Sequence, residues 1–107
     1  MIVKIKYLLM LVLHSLVSNT VNATSYSSAG AIDKMTTGKD FARVRLDAME
    51  SYEECEKQDW YILEFGSSAR LPMYSMLLAA KASKQKVSFQ LQGCKHGYAV
   101  ITHVYNN

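Results

Sequence analysis

One helix, written between segments that read as strands, constrains this chain more than any other feature. Leu71-Pro72-Met73-Tyr74-Ser75-Met76-Leu77-Leu78-Ala79-Ala80-Lys81-Ala82-Ser83 is dominated by Leu, Met and Ala, which are strong helix formers. Pro72 suits a first helical position, where its missing N–H costs nothing. Ser67 or Ser68 stands ready to help satisfy the free N–H groups. Lys81, Lys84 and Lys86 bring cations to the C-terminal end of the dipole. Met73, Met76, Leu77 and Ala80 follow the i, i+3, i+4, i+7 spacing of a core face. Tyr74, Leu78 and Lys81 share another side. An apolar second side needs a cover, either a wide core stripe or a neighbouring subunit. Tyr74 and Leu78 are therefore candidate oligomer contacts.

The flanking segments carry the period of two that marks strands. Residues 29–35 form a weak strand candidate, and 36–40 a turn cluster in which Gly38 is free to take a positive φ. In 41–49, Ala42, Val44, Leu46 and Ala48 alternate with Arg43, Arg45 and Asp47, so a hairpin across Gly38 is expected. Residues 60–65 (Trp, Tyr, Ile, Leu, Glu, Phe) are strongly β-prone, with only Glu64 charged, which suits a strand covered on both faces. After the helix, Val87, Phe89 and Leu91 alternate with Ser88, Gln90 and Gln92. A turn over 93–97 leads to a last strand at 98–105. Residues 24–28 and the acidic stretch 51–59 read as irregular.

The predicted order is thus three strands, a helix and two strands. It fits an α+β, mainly β fold: a small five-stranded OB-like barrel, closed at one end by the helix between its third and fourth strands. An open sheet with the helix on one face satisfies the same order. Closure is preferred because it removes exposed edges from short strands.

Residues 1–23 have the three parts of a secretory leader. Lys4 and Lys6 precede an apolar run from Tyr7 to Val17, and Val21-Asn22-Ala23 offers a cleavage site. The run is roughly eleven residues, short of the about 20 that a spanning helix needs. Cleavage after Ala23 is expected, leaving a single domain over 24–107 with no membrane span, exported to the periplasm or beyond. The whole chain has 12 Lys and Arg against 9 Asp and Glu, and loss of Lys4 and Lys6 leaves a net charge of +1. Such a balance argues against nucleic acid, whose binding is dominated by phosphate neutralisation.

Two cysteines, Cys55 and Cys94, lie after the leader, and in a small exported chain they most simply form one disulfide. Two cysteines with His96 and His103 make a poor zinc set, so no metal or other cofactor is expected. Disulfide pairing also removes Cys94 as a nucleophile beside His96. Glu53, Glu54, Glu56 and Glu64 show no spacing that marks an acid–base pair. No catalytic residue is assigned, and the chain reads as a non-enzymatic binding module for a glycan or a protein. Its candidate ligand groups are Arg43, Arg45, Trp60 and Tyr98, because rings stack on sugars and guanidinium donates in a fixed fork. A periplasmic structural or accessory role is the alternative.

Asp59-Trp60-Tyr61-Ile62-Leu63, the helix from Met73 to Ser83, and Val87-Ser88-Phe89-Gln90-Leu91-Gln92-Gly93-Cys94 resemble a group of small exported gammaproteobacterial proteins of unknown function. With the leader, the OB-like order and one long disulfide, the chain also resembles the B subunits of bacterial AB5 toxins, of the subtilase-cytotoxin and pertussis-like kind. That resemblance covers roughly the last 70 residues and implies a ring of subunits, helices around its axis, with a glycan-binding surface. The sugar-binding residues of those subunits match no motif here, and none is transferred.

Overall fold

The computed structural model describes residues 24–107 apart from Ser51, Glu53 and Ala69. The proposed leader, 1–23, lies outside the described residues. The described chain is mainly β, with one helix. Its elements are β1 (Ser25–Tyr26), β2 (Gly30–Thr37), β3 (Phe41–Leu46), β4 (Tyr61–Glu64), α1 (Arg70–Ser83), β5 (Lys86–Lys95) and β6 (Tyr98–Asn106).

The count of strands is six, where five were expected. Residues 24–28 are not simply irregular: Ser25 and Tyr26 pair antiparallel with Leu91 and Gln90. Ser27 then exchanges two bonds with Phe89. Its N–H donates to the Phe89 carbonyl at 2.9 Å, and its hydroxyl accepts the Phe89 N–H at 2.9 Å. A side-chain oxygen thus stands in for a backbone carbonyl between β1 and β2, so the chain keeps following β5.

β2 and β3 form the expected hairpin, antiparallel from Ile32↔Leu46 to Thr37↔Ala42 with a bulge between Ile32 and Lys34. Gly38 does not take a positive φ. An added Cβ there would lie 2.9 Å from Cζ of Phe41, so a side chain at this position would displace the tip of that ring. β4 is shorter than 60–65 and central, antiparallel to β3 and parallel to β6. Both its faces are covered, and Tyr61, Ile62 and Leu63 are all buried. β5 and β6 meet through a two-residue turn. His96 and Gly97 have φ of 52° and 86°, as a type I′ hairpin requires. The turn is tighter than 93–97, because β5 continues to Lys95.

Followed from neighbour to neighbour, the pairings run β2–β3–β4–β6–β5 and return from β5 to β2. The main core is filled by the inward set of each strand: Val44 and Leu46, Tyr61 and Leu63, Val87, Phe89 and Leu91, Ala99 and Ile101. α1 packs against β2, β4 and β6, with Leu77 and Ala80 buried and Met73 and Tyr74 partly so. Its end is a Schellman motif: Gln85 N–H donates to the Ala80 carbonyl, Lys84 N–H to that of Lys81, and Lys84 adopts φ 57°.

Cys55 and Cys94 are joined, with Cα atoms 5.7 Å apart. The link ties the loop before β4 to the end of β5. Closing a loop of this length stabilises the fold by about 4 kcal/mol in the chain-entropy model. Inside the loop, the Gln58 amide donates to the carbonyls of Tyr52 (2.7 Å) and Cys55 (2.6 Å).

Candidate functional site: an arginine and aromatic face

Alternation along β3 buries Ala42, Val44 and Leu46 and turns Phe41, Arg43 and Arg45 to the opposite, outer face. Register then decides their neighbours. Arg43 lies between Thr36 of β2 and Ile62 of β4, and Ile62 lies opposite Val100 of β6. Ile62, Tyr98 and Val100 form a second buried apolar cluster, with Phe41 and Trp60 packed against it.

All four residues selected from the sequence meet here. The Arg43 guanidinium lies 5.2 Å from the Trp60 ring centroid and 5.8 Å from that of Tyr98. It donates from Nη1 to the Tyr98 hydroxyl (3.4 Å) and from Nε to Thr36 Oγ1 (3.3 Å). Arg45 lies 5.1 Å from the Trp60 centroid, and its Nε donates to Asp33 Oδ2 at 3.1 Å. Arg45 is thus partly neutralised, whereas among the described residues no carboxylate is within ion-pair distance of Arg43. Rings and hydroxyls hold Arg43 instead, which leaves its charge for an incoming group.

Lys57 completes the patch, its Nζ 5.1 Å from the Tyr98 centroid. Sequence reading missed it, because a lysine in an acidic loop carries no periodic signal. It is brought in by the cross-link two residues earlier and by its N–H, which donates to the Gly97 carbonyl at 2.9 Å. Gly97 serves twice, in the turn and here: a Cβ would approach Cγ and Cδ of Lys57 to 3.2 Å.

The floor continues through Ile62 into a concavity of about 420 Å³ lined by Asp40, Phe41, Glu64, Lys95 and His96. Lys95 Nζ lies 3.9 Å from Glu64 Oε2, and the His96 ring is tilted on Phe41 at 5.8 Å. The face therefore runs from a cationic, aromatic end to an end that includes two carboxylates. Cys94 is bonded to Cys55, so His96 has no thiol beside it. Among the described residues no three His, Cys, Asp or Glu side chains gather as a metal site, and no helix is long and apolar enough to cross a membrane.

Tyr74 and Leu78 are placed differently from each other. Tyr74 is engaged within its own chain, edge-on to Phe65 at 5.4 Å with its hydroxyl 2.9 Å from Thr37 Oγ1. Leu78 is 46% exposed, and Leu71, two turns away, is 63% exposed. No family model matches the chain, and no curated protein or solved structure matches it either.

Proposed function

We propose that this chain is an exported, non-enzymatic binding module with an OB-like barrel that takes a glycan on the outer face of β3, β4 and β6. The cycle of strand pairings, with its parallel β4–β6 step and with the helix before β5, supports the barrel. Setting aside the two-residue β1, the face lies on the second and third strands, flanked by the Gly38 turn and the His96–Gly97 turn. OB folds bind oligosaccharides and oligonucleotides on that strand face and those loops. The observation that carries the reading is the meeting of Arg43, Arg45, Trp60 and Tyr98 in one patch, with Arg43 held by rings rather than by a carboxylate. Glycan is favoured over nucleic acid because the exported chain would carry a net charge of only +1.

A glycan array with the oxidised, exported protein tests it. At least one glycan is expected to bind, and Trp60→Ala or Arg43→Gln to weaken it about tenfold or more, since a stacking or charge-assisted contact is worth about 1–3 kcal/mol. Binding to no glycan, or binding indifferent to both changes, would sink the reading. The accessory alternative has its own support: Ile62 is fully buried under this patch, so the rings also cap an outer apolar cluster. In that case Trp60→Ala lowers stability with no binding to lose.

The ring of subunits implied by the toxin resemblance would be built on Leu78 and Leu71, since Tyr74 is already occupied. Light scattering should then give a multiple of the monomer mass that Leu78→Glu reduces. A monomer at micromolar concentration would remove the ring from the proposal.

A further inference from the structure

The outer face of β1, β5 and β6 holds a second aromatic array that the site above does not use. β5 turns Val87, Phe89 and Leu91 into the core, so Ser88 and Gln90 face outward. Register sets Tyr26 and His103 on either side of Gln90, and Tyr105 beside Ser88. The rings of Tyr26 and Tyr105 have centroids 6.4 Å apart, and His103 is stacked on Tyr105 at 6.1 Å with 21° between planes. Tyr26 is 62% and Tyr105 41% exposed. Between the rings the Gln90 amide is fixed in orientation: its Nε2 donates to the Tyr26 hydroxyl at 3.4 Å, and its Oε1 accepts from Thr102 at 3.3 Å.

We propose that this strip is a binding site for a neutral carbohydrate chain, separate from the Arg43–Trp60 face. A pyranose offers C–H groups on its flat side and hydroxyls around its rim. The strip offers ring faces for the former, and the Tyr hydroxyls, the Gln90 amide and the Ser88 hydroxyl for the latter. None of Tyr26, Ser88, Gln90, His103 or Tyr105 is an Asp, Glu, Lys or Arg; on this face of β5 the exposed Lys86 stands two residues before Ser88, at the end of the strip. Tyr98 and Tyr105 are seven residues apart on β6, roughly 20 Å along the strand, so the two sites are spatially distinct. The inference does not rest on the function proposed for the first face.

The test is titration of the oxidised protein with three neutral trisaccharides, maltotriose, cellotriose and triacetylchitotriose, followed by backbone amide NMR. At least one should shift the amides of Ser88, Gln90 and Tyr105 at millimolar concentration and leave those of Arg43 and Ile62 in place. Tyr105→Ala should weaken that binding about tenfold, the loss of one stacked ring, while Tyr26→Phe keeps the ring and changes it less. Unshifted strip amides with all three sugars would overturn the proposal. So would a concentration-dependent dimer abolished by Tyr105→Ala, which would make the strip a contact between copies. Shifts confined to Arg43 and Ile62 would support the first face and reject this one.

Discussion

Tyr61 stands on the inner side of the strand whose outer side carries Ile62 and the Arg43–Trp60 patch, packed edge-on to Phe89 at 5.5 Å. Burial raises its phenol above the ordinary 10.0; the Glu50 backbone hydrogen bond lowers it and the Glu50 charge raises it. The unfolded chain therefore releases this proton near pH 10, while the folded chain still holds it. Above that point the unfolded state binds fewer protons, so stability is full below pH 10 and is lost as pH rises through the folded value. Urea midpoints between about pH 9 and 11 should fall, and Tyr61→Phe should make the fall shallower. An unchanged slope in that variant would contradict the assignment. Tyr52 is raised by burial as well, so some slope will remain.

Among the elements, the end of α1 contains a correctable strain. Lys84 occupies the left-handed position of a Schellman motif, where a Cβ costs about 1 kcal/mol and glycine costs little. Lys84→Gly should raise stability by about 1 kcal/mol, read from urea midpoints at constant slope. A loss of stability would mean that the lysine side chain has a role of its own. The helix, β3 and β5 were legible in the sequence because their burial follows strict periods. β1 was not, since two residues have no period and its anchor is a serine hydroxyl. The return of β5 to β2 and the parallel β4–β6 step rest on pairings distant in sequence, which no local pattern encodes. Arg43, Arg45, Trp60 and Tyr98 could each be chosen as outward groups of a ligand-binding type. Their meeting depended on cross-strand register, and Lys57 on a covalent tie.

On the scale of the whole molecule, two outer faces of one cycle of strands carry different chemistry: one has guanidinium groups set among its rings, the other has rings set around an uncharged amide. Both faces include β6, which contributes Tyr98 near one end and Tyr105 near the other. The Cys55–Cys94 bridge lies beside the first face, two residues from Lys57 and four from Tyr98. Trp60 is the sole tryptophan, so its emission reports on this region alone. Reduction should alter that emission and lower stability by about 4 kcal/mol or less. Identical spectra in both redox states would separate the bridge from the face.

A sulfur–sulfur bond set so close to Lys57 also imposes a schedule. Without that bond the segment bearing Lys57 keeps its hydrogen bond to Gly97, the Gln58 amide contacts and the packing of Tyr52 in the core, but loses its covalent tie to β5. If the face binds as proposed, its completion is timed by oxidation of this pair rather than by synthesis of the chain.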